Sequence, residues 1–327
     1  MKPVAYSALI FSALVFACQV GPDRYMTYAP ELPAVAIDKC YEANKDNISG
    51  LTREDCNLKN CLANPIVLQG MDFLLSSTDT ILKDNGVRYW LDSGTLLGAF
   101  RFAGYLPWDD DVDVAVVGTD LEPKLDTLRK AFESSGFTFI AHNSSLTQSF
   151  QNFTDGAAWW QIWLTRSTFQ HVALLANPSM SLDEIDRAFE FYLRNDTIPH
   201  LDIFIFDLYP DGNYHIRADA FSSSLPNGIP PNVIFPLSVS AVLDKNYPVP
   251  ADVLNYLVAW YKTNKIKYDV VMNAAFHAAR CSLKYRFKDI RTQQELLTYF
   301  SDYFKYVFGS RFTGFPTDIT TPPPPTP

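Results

Sequence analysis

Four aspartates, Asp109, Asp110, Asp111 and Asp113, fall within five positions directly before the apolar run Val114-Ala115-Val116-Val117. Carboxylates packed this closely repel one another and are costly to bury unless a cation compensates them. If the segment is a strand, Asp111 and Asp113 share one face, about 6.6 Å apart by rise, so both can grip one ion or a pair. Asp109 joins that side if the strand starts early, and Asp110 points the other way. Upstream, Ser93-Gly94-Thr95 lies between a strand and a helix, where backbone N–H groups can hold phosphate. Gly94 and Thr95 are therefore candidates for a donor phosphate, and Arg101 for its clamp. A phosphate turn beside an acidic cation site suits phosphoryl or nucleotidyl transfer, which asks for positioning and charge neutralisation more than covalent chemistry. The plainer readings are a glycine kept for its backbone freedom, a surface arginine at position 101, and a Trp108 that packs beneath the acidic loop.

These residues need a strand–helix–strand frame. Pro65 opens a helix to about Asn85 with Gly86 as its stop signal. Val87 to Leu91 reads as a strand, Thr95 to Phe100 as a short helix, and Val112 to Val117 as the strand behind the aspartates. A helix over 122–135 and a strand over 137–141 follow. Trp159 to Trp163 and Phe169 to Ala176 both read as strands, with a helix between Ser181 and Arg194. His200 to Phe206 is a strand with Asp202 and Phe204 on one face. The Asp202 carboxylate is flanked by the apolar Leu201 and Ile203. The remaining elements are helices near 252–263, 267–280 and 292–308. The five histidines show no metal-ligand spacing.

Two acidic motifs fail on context. Asp109-x-Asp111-x-Asp113 begins like a calcium-binding EF-hand loop, but Val114 replaces the required glycine and Asp120 the closing glutamate. Asp109-Asp110-x-x-Asp113 mimics a prenyl-diphosphate motif, which works on helices.

Asp92-Ser93-Gly94-Thr95-Leu96-Leu97-Gly98-Ala99, then Arg101, then Pro107-Trp108-Asp109-Asp110-Asp111-Val112-Asp113-Val114, resembles the signature of the LicD family. That family includes bacterial phosphocholine transferases and the animal fukutin and fukutin-related proteins. Leu201-Asp202-Ile203-Phe204 resembles a second family motif, and Phe235-Pro236-Leu237 a looser one, so the likeness runs over roughly residues 65–265. It implies an α/β (α+β) nucleotidyltransferase-like fold, a mixed sheet flanked by helices, with a helical C-terminal portion. It also implies transfer of a phosphorylated alcohol, phosphocholine or ribitol phosphate in type, from a CDP-linked donor to a glycan or glycoprotein acceptor. By residue matching, Asp109, Asp111 and Asp113 would hold magnesium or manganese (Mg2+ or Mn2+), with Asp111, Asp113 and Asp202 catalytic. Two other classes compete: a nucleotide-sugar glycosyltransferase, which also uses Asp-x-Asp, and a non-catalytic secreted glycoprotein retaining the fold.

The 327 residues, 47% of them hydrophobic, suffice for one substantial core. A formal charge of −9 argues against nucleic acid as a partner. Residues 1–20 carry Lys2 and then an uncharged run from Val4 to Val20, which reads as a signal peptide or a signal anchor. A lipoprotein signal using Cys18 is also possible, though Phe16 suits it poorly. Residues 21–64 read as a Cys-containing lumenal stem or flap, 65–310 as the catalytic domain, and 311–327 as a Pro-rich tail. Membrane contact is expected only through the N-terminal segment, in the Golgi lumen or after secretion. Sequons at Asn47, Asn143, Asn152 and Asn195 agree with that route. Cys40, Cys56, Cys61 and Cys281 make an even set, so two disulfides in any of three pairings are expected, with a zinc site built from the three near the N-terminus, Cys40, Cys56 and Cys61, as the alternative.

Overall fold

The computed structural model describes residue 42 and residues 62–142, 149–150, 159–194, 198–217, 225–262 and 290–316. The N-terminal segment, the four cysteines, the four sequons, the expected helix over 267–280 and the proline tail lie outside them. None of the described helices is long and apolar enough to cross a membrane.

The first helix, α1 (Pro65–Asp84), starts where Pro65 presets the backbone and the Asn64 side chain accepts a hydrogen bond from the Ile66 amide at 2.9 Å. Leu68, Met71, Leu74 and Leu82 recur at helical spacing and are fully buried. Gly86, at φ +63°, ends it in the left-handed conformation. The chain then runs through β1 (Tyr89–Leu91), α2 (Ser93–Phe102), β2 (Asp111–Val117), α3 (Leu125–Ser134), β3 (Phe137–His142), β4 (Ser149–Phe150) and β5 (Trp159–Leu164). Helices α4 (Arg166–Ala176) and α5 (Leu182–Arg194) lead to β6 (His200–Leu208) and β7 (Tyr214–Ile216). A hairpin of β8 (Ser238–Val242) and β9 (Lys245–Val249) precedes α6 (Val253–Tyr261), and α7 (Ile290–Phe308) comes last among the described helices.

One seven-stranded sheet organises these elements in the order β1-β2-β6-β5-β3-β4, with β7 added on β6. Among the described strands of this sheet only β2 and β6 run parallel; the other pairings are antiparallel. The sheet is thus mixed and flanked by helices, as the sequence led one to expect. Alternation sorts the central strands: Val112, Val114, Leu201, Ile203 and Ile205 are almost completely buried on one face. Asp111, Asp113, His200 and Asp202 fall on the other.

One expected element differs. Phe169–Ala176, expected as a strand, belongs to helix α4. The Thr165 side chain caps its first turn, and Phe169, Val172 and Ala173 bury one helical stripe. A short apolar run does not distinguish the two periods; Thr165 is the signal that could have done so.

Candidate active site

The carboxylates gather where the parallel pair β2–β6 begins. Register aligns Asp111 with His200 and Asp113 with Asp202. On the far side of β6, Gln161 aligns with Asp202 and Trp163 with His200. Ligand atoms of Asp109, Asp110 and Asp111 lie within 4.8 Å of one another, as do those of Asp111, His200 and Asp202. Asp110 thus sits with its neighbours, although strand alternation turns it away. The loop ahead of β2 lets its carboxylate swing back, so the alternation rule does not apply there. His200 was not singled out in the sequence. Its signal was its position two residues before Asp202 on the same strand face.

Helix α2 backs the cluster from above. The Asp92 carboxylate caps it by accepting from the Ser93 amide at 2.7 Å, and the Asp92 amide donates to the Asp113 carbonyl at 3.1 Å. The Gly94 amide donates to Asp113 Oδ2 at 3.0 Å, and the Asp113 amide donates to Thr95 Oγ1 at 2.8 Å. Gly94 and Thr95, read from the sequence as facing a donor phosphate, here hold Asp113 in place. Gly94 also permits a close approach, since a Cβ there would meet Asp109 Oδ2 at 2.7 Å. Ser93 takes a left-handed φ of +42°, strain stored beside the acidic cluster. Arg101 follows Gly94 by two helical turns, about 10 Å along the axis, and is 2% exposed. It is a buried side chain of α2. Trp108 packs edge-on against Phe102 and Phe300, at 6.2 Å and 5.5 Å between ring centres. It supports the acidic loop from below.

A second supporting layer comes from α6, which the sequence did not connect to the site. Tyr256 donates to Asp92 Oδ1 at 3.0 Å and accepts from Trp90 Nε1 at 2.9 Å. Tyr261, at the end of that helix, hydrogen-bonds Ser93 and feels the charge of Asp113. Aromatic residues in a helix 140 positions downstream carry no sequence signal of such a role.

Burial dominates the electrostatics. It raises the Asp113 carboxyl well above the usual range, and Asp111, Asp109, Asp202 and Asp92 push it further. Asp202 is raised to about 6 by burial; His200 lowers it, Asp111 raises it, and a hydrogen bond from Gln161 lowers it again. Asp92 reaches about 7 through burial, against the bonds from Ser93 and Tyr256. At His200, burial alone would depress the imidazole, but Asp202, Asp111 and Asp110 outweigh it and raise it.

By themselves these carboxylates are charge-frustrated. Asp202 is 8% exposed, and its buried Oδ1 has no hydrogen-bond partner among the described residues. Oxygen-rich, negative and partly unsatisfied, the residues fit a divalent cation. Asp207, the other carboxylate of β6, is instead locked to Arg217 by two bonds of 2.7 Å on the opposite strand face.

Comparison with known proteins agrees with this geometry. Residues 86–179 match the profile described as LicD/FKTN/FKRP, nucleotidyltransferase domain. An uncharacterized protein of Rickettsia prowazekii is 42% identical over 65 residues, 20% of this chain and 24% of that protein. Ribitol-5-phosphate transferase FKTN of Mus musculus is 37% identical over 86 residues, 25% of this chain and 18% of the relative. Ribitol 5-phosphate transferase FKRP of Homo sapiens is 49% identical over 41 residues, 12% and 8% of the two chains. The match spans a quarter or less of each relative's length.

Proposed function

We propose that this chain, whose residues 86–179 match the LicD/FKTN/FKRP nucleotidyltransferase-domain profile, is a cation-dependent phosphotransferase. It would move a phosphorylated alcohol, ribitol phosphate or phosphocholine in type, from a CDP-linked donor to a glycan acceptor. One observation carries the reading: Asp109, Asp110 and Asp111 converge at the head of β2 while Asp202 arrives in register from the parallel neighbour. A bound Mg2+ or Mn2+ would neutralise the donor pyrophosphate and the charge that develops on transfer. Asp109, Asp111 and Asp113 would hold it, with Asp110 beside them; Gly94 and Thr95 keep Asp113 aimed, and the N-terminus of α2 would add a favourable dipole for phosphate. Asp202 serves the acceptor side, by taking up the hydroxyl proton or by holding the ion that makes that hydroxyl acidic. Arg101 adds positive charge from within α2 rather than by grasping phosphate at the surface. Residues 65–310 form the catalytic unit, and residues 1–20 deliver it to the secretory pathway, as a cleaved signal or an anchor.

Full-length protein incubated with CDP-ribitol, CDP-choline, Mn2+ and a broad panel of glycan acceptors should release CMP, and Asp111→Asn should not. Absence of CMP release from wild type across that panel overturns the proposal. Tighter calorimetric binding of UDP-sugars than of CDP-alcohols would move it to the glycosyltransferase class.

A further inference from the structure

The acidic cluster is two groups that share one residue. Asp109 and Asp110 meet Asp111 from the loop, an all-oxygen set; His200 and Asp202 meet Asp111 from β6, a set that contains nitrogen. We propose that Asp111, His200 and Asp202 form a separate cation site, with His200 Nε2 as a ligand, selective for a transition ion such as Mn2+ or Co2+ over Mg2+.

Three observations carry this. First, the imidazole is prepared as a ligand. His200 Nδ1 lies 3.2 Å from the Ile198 carbonyl oxygen, which can only accept, so Nδ1 carries a hydrogen and Nε2 is the nitrogen available to ligate an ion. A metal-bound histidine is ordinarily oriented by such a bond to its other nitrogen. Second, Nε2 faces a carboxylate oxygen, and two such acceptors sit together favourably only with a cation or a proton between them. His200 Nε2 stands 4.0 Å from Asp202 Oδ1, too far for a hydrogen bond, and Oδ1 is the buried atom left without a partner. Two bonds of about 2.1 Å from one ion reach across such a gap. Third, the ring is held: Trp163 stacks on it with centres 4.7 Å apart and planes 10° from parallel, and Trp163 Nε1 is in turn 3.3 Å from Gln161 Oε1. Transition ions accept an imidazole in the ligand set more readily than magnesium, which keeps to oxygen.

The site rests on the cation-dependent reading but is tested apart from it. Pulsed electron paramagnetic resonance of Mn2+-loaded full-length protein should show nitrogen modulation from a coordinated imidazole. His142→Gln should retain that signal and His200→Gln should lose it. His200→Gln should also bind Mn2+ at least about tenfold more weakly, with Mg2+ binding changed less than about twofold. Wild-type protein that binds Mn2+ without nitrogen modulation overturns the proposal, and so does a His200→Gln variant that keeps the signal. If His200→Gln does not fold, the paired wild-type and His142→Gln spectra still decide whether an imidazole other than His142 is bound. Failure of CMP release in every donor assay would leave these spectra unchanged, and their failure would leave a phosphotransferase with an all-oxygen centre.

Discussion

Asp111 belongs to both ligand groups, so its substitution should act in opposite directions with and without a cation. In chelator, Asp111→Asn relieves like-charge repulsion and should raise the midpoint of thermal unfolding by a few degrees. With Mn2+ added, wild type should gain stability by mass action and the variant should gain little. Scanning calorimetry of both proteins in chelator and in Mn2+ checks this; a variant less stable than wild type in chelator contradicts it. Asp92 sets a second test. Burial raises it to about 7 from an ordinary 3.8, so the folded protein binds its proton more readily than the unfolded chain. The associated stability is fully present below about pH 4 and is lost as pH rises toward and through 7. Asp92→Asn keeps the shape and removes the titration, so the decline in metal-free stability between pH 5 and 8 should flatten. Urea unfolding at several pH values measures it. Asp111 was legible in the sequence because a carboxylate's chemistry is local, whereas Asp92 owes its role to the burial that α6 completes. The sequence could not sort Asp110 from Asp109, because loop backbone does not obey strand alternation.

Helix α2 owes its place to two glycines with different duties. At Gly98 an added Cβ would meet the Gly104 carbonyl oxygen at 2.7 Å and the Leu106 amide nitrogen at 2.9 Å, backbone atoms that cannot step aside. Gly98→Ala should therefore cost about 2 kcal/mol or more, despite alanine's better helix propensity, with a lowered denaturation midpoint as the readout. At Gly94 the obstructing atoms are carboxylate oxygens of Asp109 and Asp113. Gly94→Ala should leave the fold intact while spreading those carboxylates, so Mn2+ affinity falls by about tenfold with little change in circular dichroism. Unchanged Mn2+ binding in a folded Gly94→Ala protein would contradict the steric role. The sequence announced a turn here through Ser-Gly-Thr, but the partners of Gly94 and Thr95 depended on how closely α2 settles on β2. Helix α4 shows the complementary limit: its apolar run fits either period, and the Thr165 cap together with packing beside α1 chose the helix.

Across the whole molecule, the site is braced by segments far apart in sequence. Arg311, beyond α7, reaches Asp72 of α1 at 2.8 Å and Asp244 of the β8–β9 turn at 2.9 Å. Gln69 donates to the Val307 carbonyl at 2.7 Å, and Phe102, Phe304, Phe312 and Phe315 form an aromatic cluster against α2. Arg311→Ala would leave the 7%-exposed Asp72 carboxylate with only the Tyr105 hydroxyl, at 3.2 Å. Because Arg311 is itself one-third exposed, the expected loss is moderate, about 1–2 kcal/mol. Chemical denaturation of Arg311→Ala against Asp72→Asn/Arg311→Ala measures the pair, and the double variant should recover part of the loss.

By itself the sequence determined the residue chemistry: a cluster of carboxylates that demands a cation, a Gly-Thr turn before it, and an Asp202 on a later apolar strand. Those features depend on residue type and on spacing within one strand or turn, which backbone periodicity fixes locally. Only the tertiary structure decided the rest. The parallel register of β2 and β6 set Asp113 beside Asp202 and brought His200 to Asp111, the packing of α6 put Tyr256 on Asp92, and α2 sank Arg101 into the core. Each is a contact between segments separated by many residues, and such contacts arise from the burial of whole faces, which no single motif encodes.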